Sequence, residues 1–166
     1  MVILQVVGYK NSGKTTLVAA VINFLISNHV KVASLKHHGH GGLPAGFENT
    51  DSEQHKQAGA IVAGVLGGNI LQLSNTKWDM DKIFPLYEQM DIEILLLEGF
   101  KNLSFPKLVL VKEEEDLSFL TSLHNVIGII KSDALHIPPQ NIPIFNWNDI
   151  QQLSEWVYNN YKKGVF

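Results

Sequence analysis

The feature that most constrains the fold is the stretch GYKNSGKTT at residues 8–16, because its glycines, lysine and threonine form a complete Walker A pattern. The glycines let backbone amides turn toward phosphate oxygens, and Lys14 adds a positive charge at the β- and γ-phosphates. The Thr15 hydroxyl is a ligand for Mg²⁺, and the helix that starts here contributes its positive end. The stretch predicts a triphosphate site whose nucleotide contacts are Gly8, Lys10, Asn11, Ser12, Gly13, Lys14, Thr15 and Thr16.

The segments on both sides of this pattern are a strand and a helix, as expected around a phosphate-binding loop. VILQVV at residues 2–7 is a short apolar run, typical of a strand that is buried on both faces of a parallel sheet. From Thr15 to Ile26 apolar residues recur at spacings of three and four, which predicts an amphipathic helix packed on that sheet. Strand, loop and helix in this order predict an α/β fold of the P-loop NTPase type, with a mostly parallel central sheet flanked by helices.

Similar patterns recur along the rest of the chain. Strands are predicted at residues 30–36, 92–99, 107–111, 125–133 and 142–146, and helices at 79–90, interrupted near Pro85, and at 149–163. A short helix is predicted up to Ala58, and residues 60–66 and 69–74 flank Gly67-Gly68 as a β-hairpin insertion. Because 166 residues suit one α/β domain, we expect residues 1–166 to form a single P-loop nucleotide-binding domain.

The composition argues against several classes of protein. A net charge of −3 provides no general basic field, so nucleic acid is not expected as a partner. The chain has no cysteine, which excludes disulfides, thiolate metal ligands and cysteine nucleophiles. The longest nearly apolar run, residues 92–100, is much shorter than the ~20 residues that a membrane helix needs. We therefore expect a cytoplasmic protein that binds neither nucleic acid nor membrane.

Glu98 is the candidate acidic residue of the phosphate site. It ends the apolar run IEILLLEG, and in P-loop proteins the strand beside the one before Walker A usually ends in a carboxylate. That carboxylate meets Mg²⁺ directly or through a water. The alternative is that Glu98 is only the first solvated residue after a core strand.

Asp51 and three histidines follow the second predicted strand. Asp51 is either the N-cap of a short helix or a second acidic residue near Mg²⁺, and the two roles are compatible. His37, His38 and His40 admit a transition-metal site, but adjacent residues of an extended segment point to opposite sides. A loop that covers the phosphates, with Lys36 and the histidines as donors, is favoured.

The tetrapeptide Ile130-Lys131-Ser132-Asp133 is the candidate for reading the base. It retains the lysine and aspartate of the Asn-Lys-x-Asp tetrad with which GTP-binding proteins often recognise guanine. An aspartate there accepts hydrogen bonds from N1 and the exocyclic N2 of guanine, which adenine does not supply. Because the asparagine is missing, a plain strand end is the alternative, and Asp133 is the residue to test.

With these residues in view, the sequence resembles the MobB family, the molybdopterin-guanine dinucleotide biosynthesis adapter proteins. The resemblance runs through most of the chain and rests on GYKNSGKTTL, KHHGHG, DSEQHKQAGA and LLLEGFK, in that order. It implies a P-loop protein that binds GTP and Mg²⁺, has weak GTPase activity and is usually a homodimer. It also implies a partner, the guanylyltransferase that joins GMP to molybdopterin.

The resemblance assigns roles to individual residues. It implies that residues 8–16 bind the phosphates, that Thr15, Asp51 and Glu98 surround Mg²⁺, and that the loop 37–42 lies near the γ-phosphate or the pterin. Lys14, Asp51 and Glu98 would then serve hydrolysis. Related dimeric P-loop proteins often place an extra lysine where this chain has Tyr9, and Lys10 follows it.

Two other functions fit a Walker A loop. One is a small-molecule kinase, and the other is a nucleotide-gated metal chaperone that uses the histidines at 37–40 as ligands. Kinases of this size generally clamp the acceptor with arginines, and this chain has no arginine. The same absence removes an arginine finger, which fits slow hydrolysis and a binding role.

Overall fold

The structure of the protein is a computed structural model that describes residues 1–39 and 50–166. The strands are β1 (Val2–Val7), β2 (Val32–Lys36), β3 (Val62–Gly67), β4 (Ile70–Asn75), β5 (Ile94–Glu98), β6 (Lys107–Val111), β7 (Val126–Lys131) and β8 (Ile144–Asn146). The helices are α1 (Lys14–Ser27), α2 (Asp51–Gln57), α3 (Met80–Gln89), α4 (Leu117–Ser122) and α5 (Ile150–Lys162).

The chain divides into two compact units. The first is made of Met1–His37 and Tyr87–Phe166 and contains a six-stranded sheet, while the second is His38–Leu86 and contains a two-stranded sheet. The second unit is therefore an insertion in the sequence of the first. That residues 1–166 behave as one domain stays a prediction.

The six-stranded sheet of the first unit has the order β2-β5-β1-β6-β7-β8, and every neighbouring pair is parallel. All residues of β5 and β6 are buried, as their unbroken apolar runs predict for strands covered on both faces. Because all strands of this sheet are parallel, the loop that follows β1 lies at the carboxyl edge of the sheet, next to the carboxyl ends of β5 and β6. This arrangement confirms the predicted P-loop NTPase-like fold.

Helices cover both faces of this sheet. On one face α1 and α5 bury a cluster that includes Leu17, Leu25, Leu153 and Val157 against strand residues such as Leu4. On the other, a smaller cluster is formed by strand residues Val7, Val109 and Ile129 together with side chains of α4 and of the segment that follows β7. Each fully buried leucine of this kind contributes roughly 1.5–3 kcal/mol of transfer free energy.

The second unit contains the predicted hairpin. β3 and β4 are antiparallel, with Gly67 opposite Ile70, and the two turn residues Gly68 and Asn69 have φ of 55° and 62°. Two positive φ values in a two-residue loop are what a type I′ turn requires, and Gly and Asn tolerate them best. Most residues of both strands are exposed or half-buried.

Two local expectations are corrected, and one helix is added. Asp51 is not the N-cap of α2: Thr50 precedes the helix, and its hydroxyl accepts a hydrogen bond from the Glu53 amide at 3.3 Å. α3 continues through Pro85, which removes one amide donor without ending the helix. α4 was not predicted, because six residues are too few to show a helical period.

Candidate functional site

The Walker A loop occupies residues 8–13, between the end of β1 and the start of α1. Gly13 precedes the helix with φ of 98°, and a Cβ atom there would lie 2.5 Å from Cη2 of Trp147. A glycine is required for both reasons, since other residues rarely adopt this φ and none has room. The indole of Trp147 therefore packs directly on the backbone of the loop.

Lys14 folds back over the loop that precedes it. Its ammonium donates hydrogen bonds to the carbonyl oxygen of Tyr9 and to the hydroxyl of Ser12. Burial lowers the pKa of Lys14; the Glu98 carboxylate raises this pKa, and Lys101 and Lys36 lower it further. Three ammonium groups with one carboxylate leave a net charge of +2 at this edge (three minus one). Such a cluster attracts a polyanion.

Thr15, Glu98 and Lys36 form a closed triangle of polar contacts. The Thr15 hydroxyl donates to Glu98, with distances of 2.9 Å to Oε1 and 3.1 Å to Oε2. The Lys36 ammonium lies 2.8 Å from Glu98 Oε1 and 3.0 Å from Thr15 Oγ1. Glu98 is only 7% exposed, so its carboxylate would be costly to leave without these partners.

Strand pairing produces this triangle. Glu98 is in register with Val6 of β1 on one side and with Lys36 of β2 on the other. Parallel strands end at the same edge, so the last residue of β5 and the last residue of β2 meet the first turn of α1 there. The position assigned to Glu98 from sequence, beside the Walker A strand, is the position found.

The oxygens of this triangle fit Mg²⁺. A threonine hydroxyl and a carboxylate are hard oxygen donors of the type that Mg²⁺ takes, usually together with phosphate oxygens and waters. The Lys36 ammonium is the third corner of the triangle, at hydrogen-bond distance from both Thr15 Oγ1 and Glu98 Oε1. A positive ion is therefore accommodated by these two oxygens.

A cavity of about 340 Å³ opens beside the loop, where β6 and β7 end. Asp133 lies in its wall, and its Oδ2 accepts a hydrogen bond from the side-chain amide of Asn148. Trp147 lines the same cavity. Its wall thus consists of Asn11, Ser12, Gly13, Leu110, Val111, Lys112, Ile130, Lys131, Ser132, Asp133 and Trp147. The structure brings the predicted base-reading residue next to the predicted phosphate loop, and a volume near 300 Å³ or more suits a small ligand.

Trp147 and Asn148 were missed from the sequence. They belong to a short 3-10 turn between β8 and α5, far along the chain from the loop that they adjoin. The signal that marks them is the polar and aromatic run WND immediately after the strand, which is where ligand-binding residues lie in open parallel sheets.

Lys101 was also missed from the sequence, and its contact with the Tyr9 ring gives Tyr9 a structural role. Its ammonium lies 4.9 Å from the centre of the Tyr9 ring and 4.3 Å from that of Phe119, and the two rings are 5.1 Å apart. These are cation–π distances. The loop that carries Lys101 is held by the buried Gln5, whose side-chain amide donates to the Phe100 carbonyl at 2.8 Å. Tyr9 thus holds a lysine from another loop beside the Walker A loop.

The other predicted residues are described within their own units. Asp51 is the first residue of α2 in the second unit and is exposed, so its place near a metal stays a prediction. Lys10 and Thr16 are exposed on the loop and the first turn of α1. The His37 ring contacts the Phe100 ring in a tilted arrangement, with ring centres 5.0 Å apart.

The histidine cluster is only partly described. His40 lies outside the described residues, and within residues 1–39 and 50–166 no three His, Asp or Glu side chains are grouped to hold a metal. His37 and His38 are both exposed. The role of the loop 37–42 over the phosphates stays a prediction.

Together, the sheet order, the loop between β1 and α1, and the carboxylate at the end of β5 define a protein of the P-loop NTPase-like class. A family model described as molybdopterin guanine dinucleotide synthesis protein B, MobB, matches residues 3–132. That match covers most of the chain, and the chain belongs to the MobB family.

Curated relatives and solved structures agree with this assignment. A probable molybdopterin-guanine dinucleotide biosynthesis adapter protein of Bacillus subtilis is 40% identical over 150 residues, covering 89% of this chain and 86% of the relative. The adapter protein of Haemophilus influenzae is 28% identical, covering 95% and 88%. A crystal structure of Bacillus subtilis MobB matches with a TM-score of 0.78 and 36% identity, covering 96% and 97%. A MobB homologue from Bacillus stearothermophilus matches with a TM-score of 0.76 and 31% identity, covering 98% and 99%.

Proposed function

We propose that this protein is a GTP-binding accessory protein that assists the attachment of GMP to molybdopterin in biosynthesis of the guanine dinucleotide form of the molybdenum cofactor. The observation that carries the proposal is the contact between Thr15 of the Walker A loop and Glu98 of the neighbouring strand, in a chain of the MobB family. Its partner would be the guanylyltransferase, with molybdopterin near the bound nucleotide.

The cavity beside the loop supports guanine as the base. Asn148 holds Asp133 through Oδ2, so the second carboxylate oxygen is left for a base that offers donors. Guanine offers N1 and N2 donors at its Watson–Crick edge, whereas adenine offers an acceptor at N1. Asp133 would therefore favour GTP over ATP, although this chain has Ile130 in place of the usual asparagine.

The phosphate side of the site supports Mg²⁺ and slow hydrolysis. Lys14 would bind the β- and γ-phosphates, and Thr15 and Glu98 would hold Mg²⁺, with Asp51 as a second acidic residue. Bound Mg²⁺ supplies charge neutralisation to the phosphates. The chain has no arginine to stabilise the transferring phosphoryl group, so hydrolysis would be slow, and binding would be the main role.

A homodimer is part of the proposal. The second unit exposes large apolar side chains, among them Ile61 at 72%, Leu66 at 75% and Ile70 at 65%. A two-stranded sheet is marginally stable by itself, and clustered exposed apolar residues usually mark an interaction surface. We propose that a second copy of the chain covers them.

We also propose that the protein acts in the cytoplasm. In the described part of the chain, no helix combines the length and the apolar character needed to cross a bilayer. Its relatives are named as biosynthesis adapter proteins.

A reconstituted reaction tests the accessory role. A guanylyltransferase, molybdopterin and GTP are combined with and without this protein, and dinucleotide formation is followed. We expect the protein to increase the yield or rate and the Lys14→Ala variant to lose that effect, because its loop lacks the phosphate charge. An equal reaction with wild type, variant and no protein would refute the accessory role.

Nucleotide competition tests the base. We expect GTP to displace a bound fluorescent GTP analogue at lower concentration than ATP, and Asp133→Ala to bring the two closer together. If Asp133→Ala keeps the full preference for GTP, Asp133 does not read the base. If ATP binds better than GTP, the guanine preference is refuted and the small-molecule kinase is favoured.

A further inference from the structure

Lys36 contacts the two side chains that would hold a metal ion in the proposed function. Its ammonium is 2.8 Å from Glu98 Oε1 and 3.0 Å from Thr15 Oγ1, the same two oxygens that the proposed function assigns to Mg²⁺. Strand pairing holds the lysine there, because Lys36 is directly in register with Glu98. The side chain is 61% exposed, so it is free to leave toward solvent.

Mg²⁺ and this ammonium exclude each other. Thr15 Oγ1 and Glu98 Oε1, which would hold Mg²⁺ at the ligand distance of about 2.0–2.1 Å that this ion prefers, are the two oxygens that the Lys36 ammonium contacts. An ammonium within hydrogen-bond distance of both oxygens would then lie only a few ångströms from a divalent cation, and repulsion between like charges at that distance is strong. One of the two cations must leave.

We propose that Lys36 is a built-in substitute for Mg²⁺ at this site, and that Mg²⁺ binding displaces it. Without the metal, the lysine neutralises the buried carboxylate of Glu98 and keeps the site able to accept a polyphosphate. With Mg²⁺ and nucleotide bound, Glu98 and Thr15 would hold the metal, and the Lys36 side chain would be released toward the phosphates. This inference rests on the proposed nucleotide binding and adds how the metal requirement of that site is set.

The exchange has a measurable consequence for metal dependence. In the wild type, a polyphosphate binds with and without Mg²⁺, because one cation or the other always neutralises Glu98. If the lysine charge is removed, the carboxylate loses its direct cationic partner, and of the three ammonium groups at this edge Lys14 and Lys101 remain until Mg²⁺ arrives. Mg²⁺ then also binds without having to displace a competitor. The variant should therefore depend more steeply on Mg²⁺ and need less of it.

The experiment compares Lys36→Met with a matched control, Lys31→Met. Lys31 has the same 61% side-chain exposure and also contacts an acidic residue, Asp91, at 3.8 Å, so its loss changes net charge equally. Binding of GTP, ATP and inorganic tripolyphosphate is measured with EDTA and across a Mg²⁺ titration, at constant ionic strength. Circular dichroism checks that each variant is folded, and Lys36→Gln serves as a second variant.

We expect Lys36→Met to weaken binding in EDTA and to lower the half-saturating Mg²⁺ concentration, each by about fivefold or more. Lys31→Met should behave as the wild type. Equal Mg²⁺ midpoints in wild type and both Lys36 variants would overturn the exchange, while nucleotide binding itself would stand. If no polyphosphate binds to any of the proteins, the proposed nucleotide function falls, and the exchange falls with it.

Discussion

The two sheets of this protein differ in how much of their surface is covered. In the first unit, every residue of β5 and β6 is buried, and helices cover both faces of the sheet. In the second unit, β3 has only Ala63 buried, and β4 has no buried residue. The first unit therefore holds its own core and the candidate nucleotide site, whereas the second exposes large apolar side chains.

This difference shows that buried strands and exposed apolar strands have similar sequence patterns. AIVAGVL and EILLLE are both apolar runs next to a glycine, yet one is exposed and the other buried. Burial depends on what packs on each strand, and that is a property of the fold or of the assembly. Matched substitutions in the two units test whether the two sheets differ in burial.

The largest effect is expected from Leu96→Ala in β5. Leu96 is fully buried, so the variant leaves a cavity and should lower the free energy of unfolding by about 2–5 kcal/mol. Chemical denaturation measures this loss. The matched variant is Leu66→Ala in the hairpin, where the side chain is 75% exposed, and the isolated chain should change by less than about 0.5 kcal/mol. Equal losses at both positions would contradict the comparison.

A smaller effect is expected from Gly13→Ala. The alanine would adopt an unfavourable φ of 98° and would collide with the Trp147 ring, so we expect a loss of stability of about 1–3 kcal/mol together with loss of nucleotide binding. Gly68→Ala in the hairpin turn is the control for strain alone, because its φ is 55° and nothing lies within 4 Å of the added Cβ. Urea denaturation should show the larger loss at Gly13, and the reverse order would disprove the contact with Trp147.

Thr50→Ala should have a local effect of about 1 kcal/mol, because it removes the N-cap of α2. Hydrogen exchange is the suitable measurement, since it reports each element separately. Faster exchange is expected in α2 and not in β1 or β5. Asp51→Ala is the control, since Asp51 does not cap the helix, and faster exchange in that variant alone would reverse the assignment of the cap.

The smallest effect on folding and a large effect on assembly are expected from Leu66→Ser. The free energy of unfolding of the monomer should hardly change, because the side chain is mostly exposed. The homodimer that we propose should dissociate at higher protein concentration than it does in the wild type. Sedimentation equilibrium across a dilution series gives the dissociation constant, and an unchanged constant would remove Leu66 from the interface.

Much of the first unit could be predicted from the sequence. The Walker A spacing placed the loop, unbroken apolar runs marked the buried strands, and Glu98 followed from its position at the end of one such strand. These signals are local, because each depends on a few neighbouring residues. The family model and the similar solved structure confirm the predicted family and fold.

The remainder of the site depends on pairing between distant segments. Lys36 contacts Glu98 because β2 and β5 are adjacent in a particular register. Trp147 contacts Gly13 because the turn that follows β8 lies next to the Walker A loop. Neither contact leaves a pattern in the sequence near the loop. The cap of α2 was missed by one residue, an error typical of helix boundaries, where threonine and aspartate are both good caps.

Thermal melts with GTP and with ATP, each with Mg²⁺, test the central claim most directly. A ligand at 100 times its Kd stabilises the folded protein by about 2.7 kcal/mol, which gives a clear rise in Tm. We predict a larger rise with GTP than with ATP in the wild type and no rise with either in Lys14→Ala. An equal or larger rise with ATP, or a rise that survives in Lys14→Ala, would contradict GTP binding at the Walker A loop.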